Sequence, residues 1–192
     1  MNASYITVPL IFLIDSLISL YILAVVLRFL LQWVKADFRN PICQALVTVT
    51  HPPLKLLRRF IPPMGKIDSS SIVLALLLQM TINISIWLIL QKVSPNFFTL
   101  FVLSCAHLIG LTLNIFIFAI FAQALLSWFN PNIYNPNYIL LANLTEPVLN
   151  LCRKVIPDLN GLDFSPLAAI ILLQLTKMLL LPPLEEHLAY LF

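Results

Sequence analysis

The sequence predicts an all-α polytopic membrane protein. Four transmembrane helices form two parallel tandem repeats, each with a cytoplasmic interfacial amphipathic helix. Three observations carry this prediction. The 192 residues are 60% hydrophobic and only 10% charged, with a mean hydropathy of +0.97, whereas a soluble domain carries about 25% charged residues. Four apolar stretches approach or exceed the about 20 residues that a helix needs to cross a bilayer. Finally, the chain lies over itself: shifted by 95 residues (145 − 50), THPPLKLLRRFIPPMGKIDSS at 50–70 covers TEPVLNLCRKVIPDLNGLDFS at 145–165 without a gap.

The register of the duplication is set by identical residues. Pro52 falls on Pro147, Arg58 on Arg153, Pro62 on Pro157 and Asp68 on Asp163. Outside that segment, Trp33 meets Trp128, Asn40-Pro41 meets Asn135-Pro136, and Gln79 meets Gln174. The repeats are 8–92 and 97–181, each a helix, a basic Pro-rich loop and a helix.

The first span runs over 8–34. It has no basic flank before it and is too long for the apolar region of a secretory signal. A polar, Pro-rich connection occupies 35–69, and the second span covers 70–92. The next four residues, 93–96, leave room only for a turn between antiparallel neighbours. The third span, 97–129, exceeds the bilayer requirement and must tilt, kink or extend into an interface. A second connection, 130–164, leads to the fourth span, 165–181, which Pro182-Pro183 is expected to end before a short acidic tail at 185–187. An even number of spans per repeat inserts both copies with the same orientation, related by an axis along the membrane normal.

Within each connection the sequence predicts a short basic helix. Thr50 and Thr145 are expected as N-caps, with Pro52 and Pro147 in the first turn. Leu54, Leu57 and Ile61 recur at helical spacing with Lys55, Arg58 and Arg59 off the stripe, and Pro62 and Pro157 are expected to stop the helices. Such a helix lies in the interface with its cations toward anionic lipid headgroups. Lys55, Arg58, Arg59, Arg153 and Lys154 are the candidate interfacial or partner surface; the bland alternative is a topology anchor. Asp68 and Asp163 are expected to cap the following spans, or, as two acids near the repeat axis, to bind a cation.

Eight basic residues lie in the two long connections, and Lys92 lies on the opposite side. The positive-inside rule therefore puts the connections in the cytoplasm and the termini outside. Arg28 and Lys177 are expected to snorkel from span ends. Asp15, Gln79, His107 and Gln174 are the candidate intramembrane polar contacts, with Gln79 and Gln174 placed to meet across the repeat axis as packing contacts or as the lining of a site. They form no continuous polar stripe.

The net charge of +3 is too mild, and the cations too dispersed, for a nucleic-acid surface. Cys43, Cys105 and Cys152 show no CxxC spacing and read as apolar fillers. The metal-protease helix, the nucleophile elbow and the phosphate loop are all missing. No catalytic residue, cofactor or metal is predicted.

The pattern RFLLQW (28–33), DFRNP (37–41) and T-x-P…LRR-x-IP-x-MG-x-ID (50–68), followed by SW (127–128), EP (146–147), RKVIP (153–157) and GLDFSP (161–166), resembles the YggT (YlmG-like) family of small bacterial membrane proteins. The resemblance covers nearly the whole chain. It departs at Ser69-Ser70-Ser71 and at Asn160, where a Gly is more typical. It implies a bacterial inner-membrane protein, with family links to osmotic-stress tolerance, ion homeostasis and cell division, and in plastid relatives to haem attachment and nucleoid organisation. The leading expectation is a non-enzymatic scaffold or assembly factor that contacts lipid and other membrane, division or assembly proteins. The alternative is a small channel or transporter for ions or osmolytes, working as a homo-oligomer because four spans are few for a pore.

Overall fold

The computed structural model describes residues 4–62, 68–89, 96–129, 135–154 and 163–189. Six helices follow in order: α1 Ser4–Trp33, α2 Pro41–Leu57, α3 Ser69–Ile89, α4 Phe97–Phe129, α5 Pro136–Arg153 and α6 Ser165–Ala189. No strand occurs among the described residues. Four helices contain stretches long and apolar enough to cross a membrane, at Ile11–Trp33, Ser69–Leu88, Phe97–Ser127 and Ser165–Leu184. The fold is all-α, with two shorter amphipathic helices beside the four spans.

Each repeat packs in the same way. In the first, α1 lies against α3 and α2 touches both; in the second, α4 lies against α6 and α5 touches both. The repeats join mainly through α3 and α4, with a smaller contact between α1 and α4. Burying one stripe of an otherwise apolar helix against its neighbour leaves the rest to lipid, so Leu17, Leu77, Phe118 and Leu179 stay uncovered. The main core joins Ile22, Val25 and Leu31 of α1 to Leu54 of α2, Ile82 of α3, Phe116 of α4 and Leu144 of α5. A smaller core of Ile120, Leu149, Cys152 and Ala169 belongs to the second repeat alone. At Gly110 a Cβ would come 2.9 Å from Leu181 Cδ1, so its missing side chain lets α4 and α6 approach closely.

The two amphipathic helices differ from expectation in where they begin. They start at Pro41 and Pro136, with Asn40 and Asn135 as N-caps whose side chains accept from the Ile42 and Asn137 N–H at 2.8 and 3.0 Å. Asn followed by Pro is itself a strong helix start, since Pro at the first helical position lacks an N–H that would have no partner anyway. Thr50 and Thr145 are not caps but fully buried mid-helix residues. Pro52, Pro53 and Pro147 sit inside the helices. Each removes one backbone bond. In α2 the freed carbonyls belong to the exposed residues Thr48 and Val49, and the Val49 carbonyl instead accepts from the Tyr21 hydroxyl at 3.4 Å.

Other boundaries also move. Helix α2 ends at Leu57, four residues before Ile61, and the turn that follows is closed by the Ile61 N–H on the Leu57 carbonyl at 2.8 Å. Pro62 follows that turn rather than stopping the helix directly, and Pro157 lies outside the described residues. Helix α6 does not stop at Pro182-Pro183 but continues through both to Ala189, as helices in membrane surroundings tolerate where water or neighbours can satisfy the freed carbonyls. Helix α1 closes with Lys35 at φ 56°, a left-handed residue that lets the Ala36 N–H reach the Leu31 carbonyl at 2.9 Å and the Lys35 N–H reach that of Gln32 at 3.1 Å.

Candidate functional site

Polar side chains gather in two places. The first is the end of the bundle where α2 and α5 lie, called here the loop side. Thr50 sits on the face of α2 that meets α1. Its hydroxyl donates to the Leu46 carbonyl at 2.6 Å and accepts from Arg28 Nη1 at 2.7 Å. Arg28 therefore does not snorkel outward. It is buried and turned toward α2, because Thr50 offers a bond inside. Beyond it, Arg58 Nη2 lies 2.5 Å from Asp68 Oδ2, and the Ser71 hydroxyl donates to the same oxygen at 2.9 Å. Ser70 donates to the Ile61 carbonyl at 2.7 Å. Burial alone would raise the Asp68 pKa, but hydrogen bonds from Arg58 and Ser71 and the charges of Arg58 and Arg28 outweigh it and hold the carboxyl below its ordinary value. Asp68 is an ion-pair partner before it is a cap; its Oδ1 has no partner among the described residues.

The second repeat builds the same geometry with less charge. At the Arg28 position stands Gln123, whose carbonyl oxygen accepts from the Thr145 hydroxyl. Arg153 Nη2 lies 3.0 Å from Asp163 Oδ2. Asp163 does act as a cap, accepting from the Ser165 N–H at 2.8 Å. Burial again raises its pKa, and hydrogen bonding from Ser165 and Arg153 brings it below the usual value. A cavity of about 190 Å³, lined by Gln123, Ala142, Glu146, Leu149 and Arg153, opens beside Gln123. Asn40 links the repeats: its Nδ2 donates to the Pro136 carbonyl at 3.2 Å.

Of the predicted basic surface, Lys55, Arg59 and Lys154 are exposed. Arg58 and Arg153 are ion-paired with Asp68 and Asp163, and Arg153 is exposed as well. Trp33 is exposed at the end of α1 and lines a cavity with Asn143, Glu146 and Pro147 of α5. Trp128 is in α4, but its side chain lies outside the described residues.

The second polar region lies within the spans. Gln79 Nε2 is 3.2 Å from His107 Nδ1 and 3.5 Å from Asn83 Oδ1. Asn83 Nδ2 donates to Ser104 at 2.9 Å. Lys177 Nζ donates to Asn114 Oδ1 at 2.9 Å, so this cation too has a partner inside the bundle rather than only an interfacial position. Gln174 is exposed on α6, and Gln79 bonds His107 and Asn83 rather than Gln174. Asp15 is half-buried on α1, apart from the Gln79 cluster. Sequence reasoning places Asn83 and Asn114 only as polar residues within spans, without their pairing, and misses Ser104. Their signal was only their polarity in apolar runs. No group of three or more His, Cys, Asp or Glu able to hold a metal occurs among the described residues. Cys43 and Cys152 are buried and Cys105 is half-buried, all as free thiols.

Two copies of one three-helix unit, each with an Asn-Pro start, an inward Thr and an Arg–Asp closure, decide the relationship. The model of the CCB3/YggT family matches twice, over 7–89 and 102–184. The chain belongs to the CCB3/YggT family. It is 42% identical over 172 residues to the uncharacterized protein PA0392 of Pseudomonas aeruginosa, covering 89% of this chain and 87% of the relative. Its identity to the uncharacterized protein YggT of Escherichia coli K12 is 34% over 168 residues, 87% and 86% of the two chains. A further match is the uncharacterized protein ycf19 of Guillardia theta, 38% identical over 63 residues, 32% of this chain and 69% of the relative. No solved structure matches.

Proposed function

We propose that this YggT-family protein is a non-enzymatic membrane scaffold or assembly factor in the bacterial inner membrane. The loop side faces the cytoplasm and the termini lie outside. Lys55, Arg59 and Lys154 meet anionic headgroups and other membrane, division or assembly proteins, in support of envelope, osmotic-stress or ion homeostasis. One observation carries this reading: both amphipathic helices are locked to the spans by buried bonds while these three cations stay outward and exposed. A rigid, twice-presented basic face suits docking and screens with salt. Within the spans, by contrast, Gln79, Asn83, His107 and Ser104 bond to one another.

The test is in-membrane photocrosslinking of the full chain, wild type against Lys55→Glu/Arg59→Glu/Lys154→Glu. The expected result is loss of defined protein and anionic-lipid crosslinks at unchanged abundance; an unchanged set would sink the docking role and leave a topology anchor. A second reading, a small oligomeric channel or transporter, is favoured by the cavity between the spans that Gln79, His107 and Lys177 line. Its mark would be K⁺ or osmolyte flux in liposomes that Gln79 or His107 variants abolish and the triple loop variant does not.

A further inference from the structure

Where α1, α3, α4 and α6 meet, and so where the two repeats meet, lies a cavity of about 320 Å³. Its polar lining is Ser19, Gln79, His107, Asn114 and Lys177, and Leu181 closes it beside Gly110. Lys177 stands a dozen residues past Ser165, about 18 Å along α6, well inside the hydrocarbon. A charge at that depth is costly unless it is paired. Its partner here is the neutral Asn114 amide oxygen. Among the described residues no carboxylate lines the cavity, and Asp15, one turn before Ser19, is not part of its lining.

The hydrogen-bond chain fixes the polarity of the rest. Ser104 gives its proton to the Leu100 carbonyl at 2.8 Å, so its oxygen accepts from the Asn83 amide nitrogen. Asn83 Oδ1 then faces Gln79 Nε2, and that same nitrogen meets His107 Nδ1, which must accept. With the Gln79 amide in this orientation, the ring presents its N–H at Nε2. Asn114, with its oxygen on Lys177, keeps its NH2 group as a donor. The described wall offers an ammonium, an imidazole N–H, an amide NH2 and a hydroxyl, with Gln79 Oε1 and that hydroxyl as its side-chain acceptors.

We propose that this cavity binds a small monovalent anion, inorganic or a short carboxylate, with Lys177 as counter-charge and Asn114, His107 and Ser19 as donors. Such an anion neutralises the half-buried ammonium and uses donors that lipid tails leave unmet. The volume is at the small end for ligand sites, and the location, at mid-span between repeats, is where repeat-built membrane proteins place small charged ligands. The proposal is independent of the scaffold reading, since it concerns binding and not passage.

The test is equilibrium binding of radiolabelled chloride to the full chain in phosphatidylcholine nanodiscs, with acetate as competitor. Saturable, acetate-displaceable binding is expected. Lys177→Met should weaken it by at least about tenfold, the loss of one charge-assisted contact, and Lys177→Arg should retain it. Asn114→Asp supplies a built-in counter-ion and should also abolish binding, which keeps the test valid if Lys177→Met does not fold. Absence of saturable binding, equal binding in all variants, or displacement of chloride by added phosphatidylglycerol would each overturn the proposal, the last by giving the site to a lipid headgroup.

Discussion

The loop side of the first repeat and that of the second share a backbone plan and differ in one buried side chain. Arg28 and Gln123 occupy the same repeat position, and each meets the buried Thr of the neighbouring amphipathic helix. Arg28 is buried, Asp68 is sealed from solvent at 0% side-chain exposure, and its carboxylate pairs with Arg58 and feels the charge of Arg28. Around Gln123 a cavity remains, and Asp163 is 36% exposed. The second copy shows that the fold closes without a buried cation. The charge in the first is thus an addition to a frame that a neutral amide also satisfies. An ion pair that is buried becomes sensitive to the loss of either member, whereas an exposed one is not.

The largest expected effect breaks that asymmetry directly. Asp68→Ala leaves the buried Arg28 and the half-buried Arg58 without counter-charge and should cost about 3 kcal/mol. Asp163→Ala should cost about 1 kcal/mol or less. Thermal unfolding of the two variants in detergent measures the difference, and equal losses would refute it.

Acid should act in the same direction. Both carboxyls are held below their ordinary value, so each contributes stability that is fully present above the unfolded carboxyl pKa and is lost as pH falls through the lower folded value. The unfolding midpoint should therefore drop below about pH 4. Asp68→Asn should flatten that drop more than Asp163→Asn.

A smaller contrast is expected one contact further in. Thr50→Val deprives the Arg28 guanidinium of its acceptor and should cost about 1.5–3 kcal/mol, while Thr145→Val deprives a neutral amide and should cost about 1 kcal/mol. Denaturant titration of helical signal distinguishes them. The smallest effect concerns the helix starts: Asn135→Ala should cost about 1 kcal/mol as a lost cap. Asn40→Ala should exceed it modestly, because Asn40 also holds the Pro136 carbonyl.

Much of this fold was legible from single residues and their spacing. Apolar length marked the four spans, and the 95-residue register of Trp33, Asn40-Pro41, Pro52 and Asp68 marked the duplication. The amphipathic helices were misread at one end for a local reason. Thr50 before Pro52 and Asn40 before Pro41 are both acceptable starts, and proline argues against an interior position that α2 tolerates because Thr48 and Val49 are exposed. The site was legible only as a roster. Gln79 and His107 were named, but their bond joins α3 to α4, and nothing in the order of residues sets the rotation of one helix against another.

By itself, then, the sequence determined membrane residence, the number of spans, the two-fold repetition and the polar residues placed among apolar ones, because hydropathy and periodicity are local properties that every segment carries. Only the tertiary structure decided which charges turn inward. Arg28 was free to snorkel until Thr50 offered a bond within reach, Arg58 was a surface cation until the chain returned ten residues later with Asp68, and Gln174 lost the role that Gln79 kept. The physical reason is that desolvation and pairing depend on distance in space. Two groups separated by 10 or 28 residues become partners only when the packing of the helices brings them together.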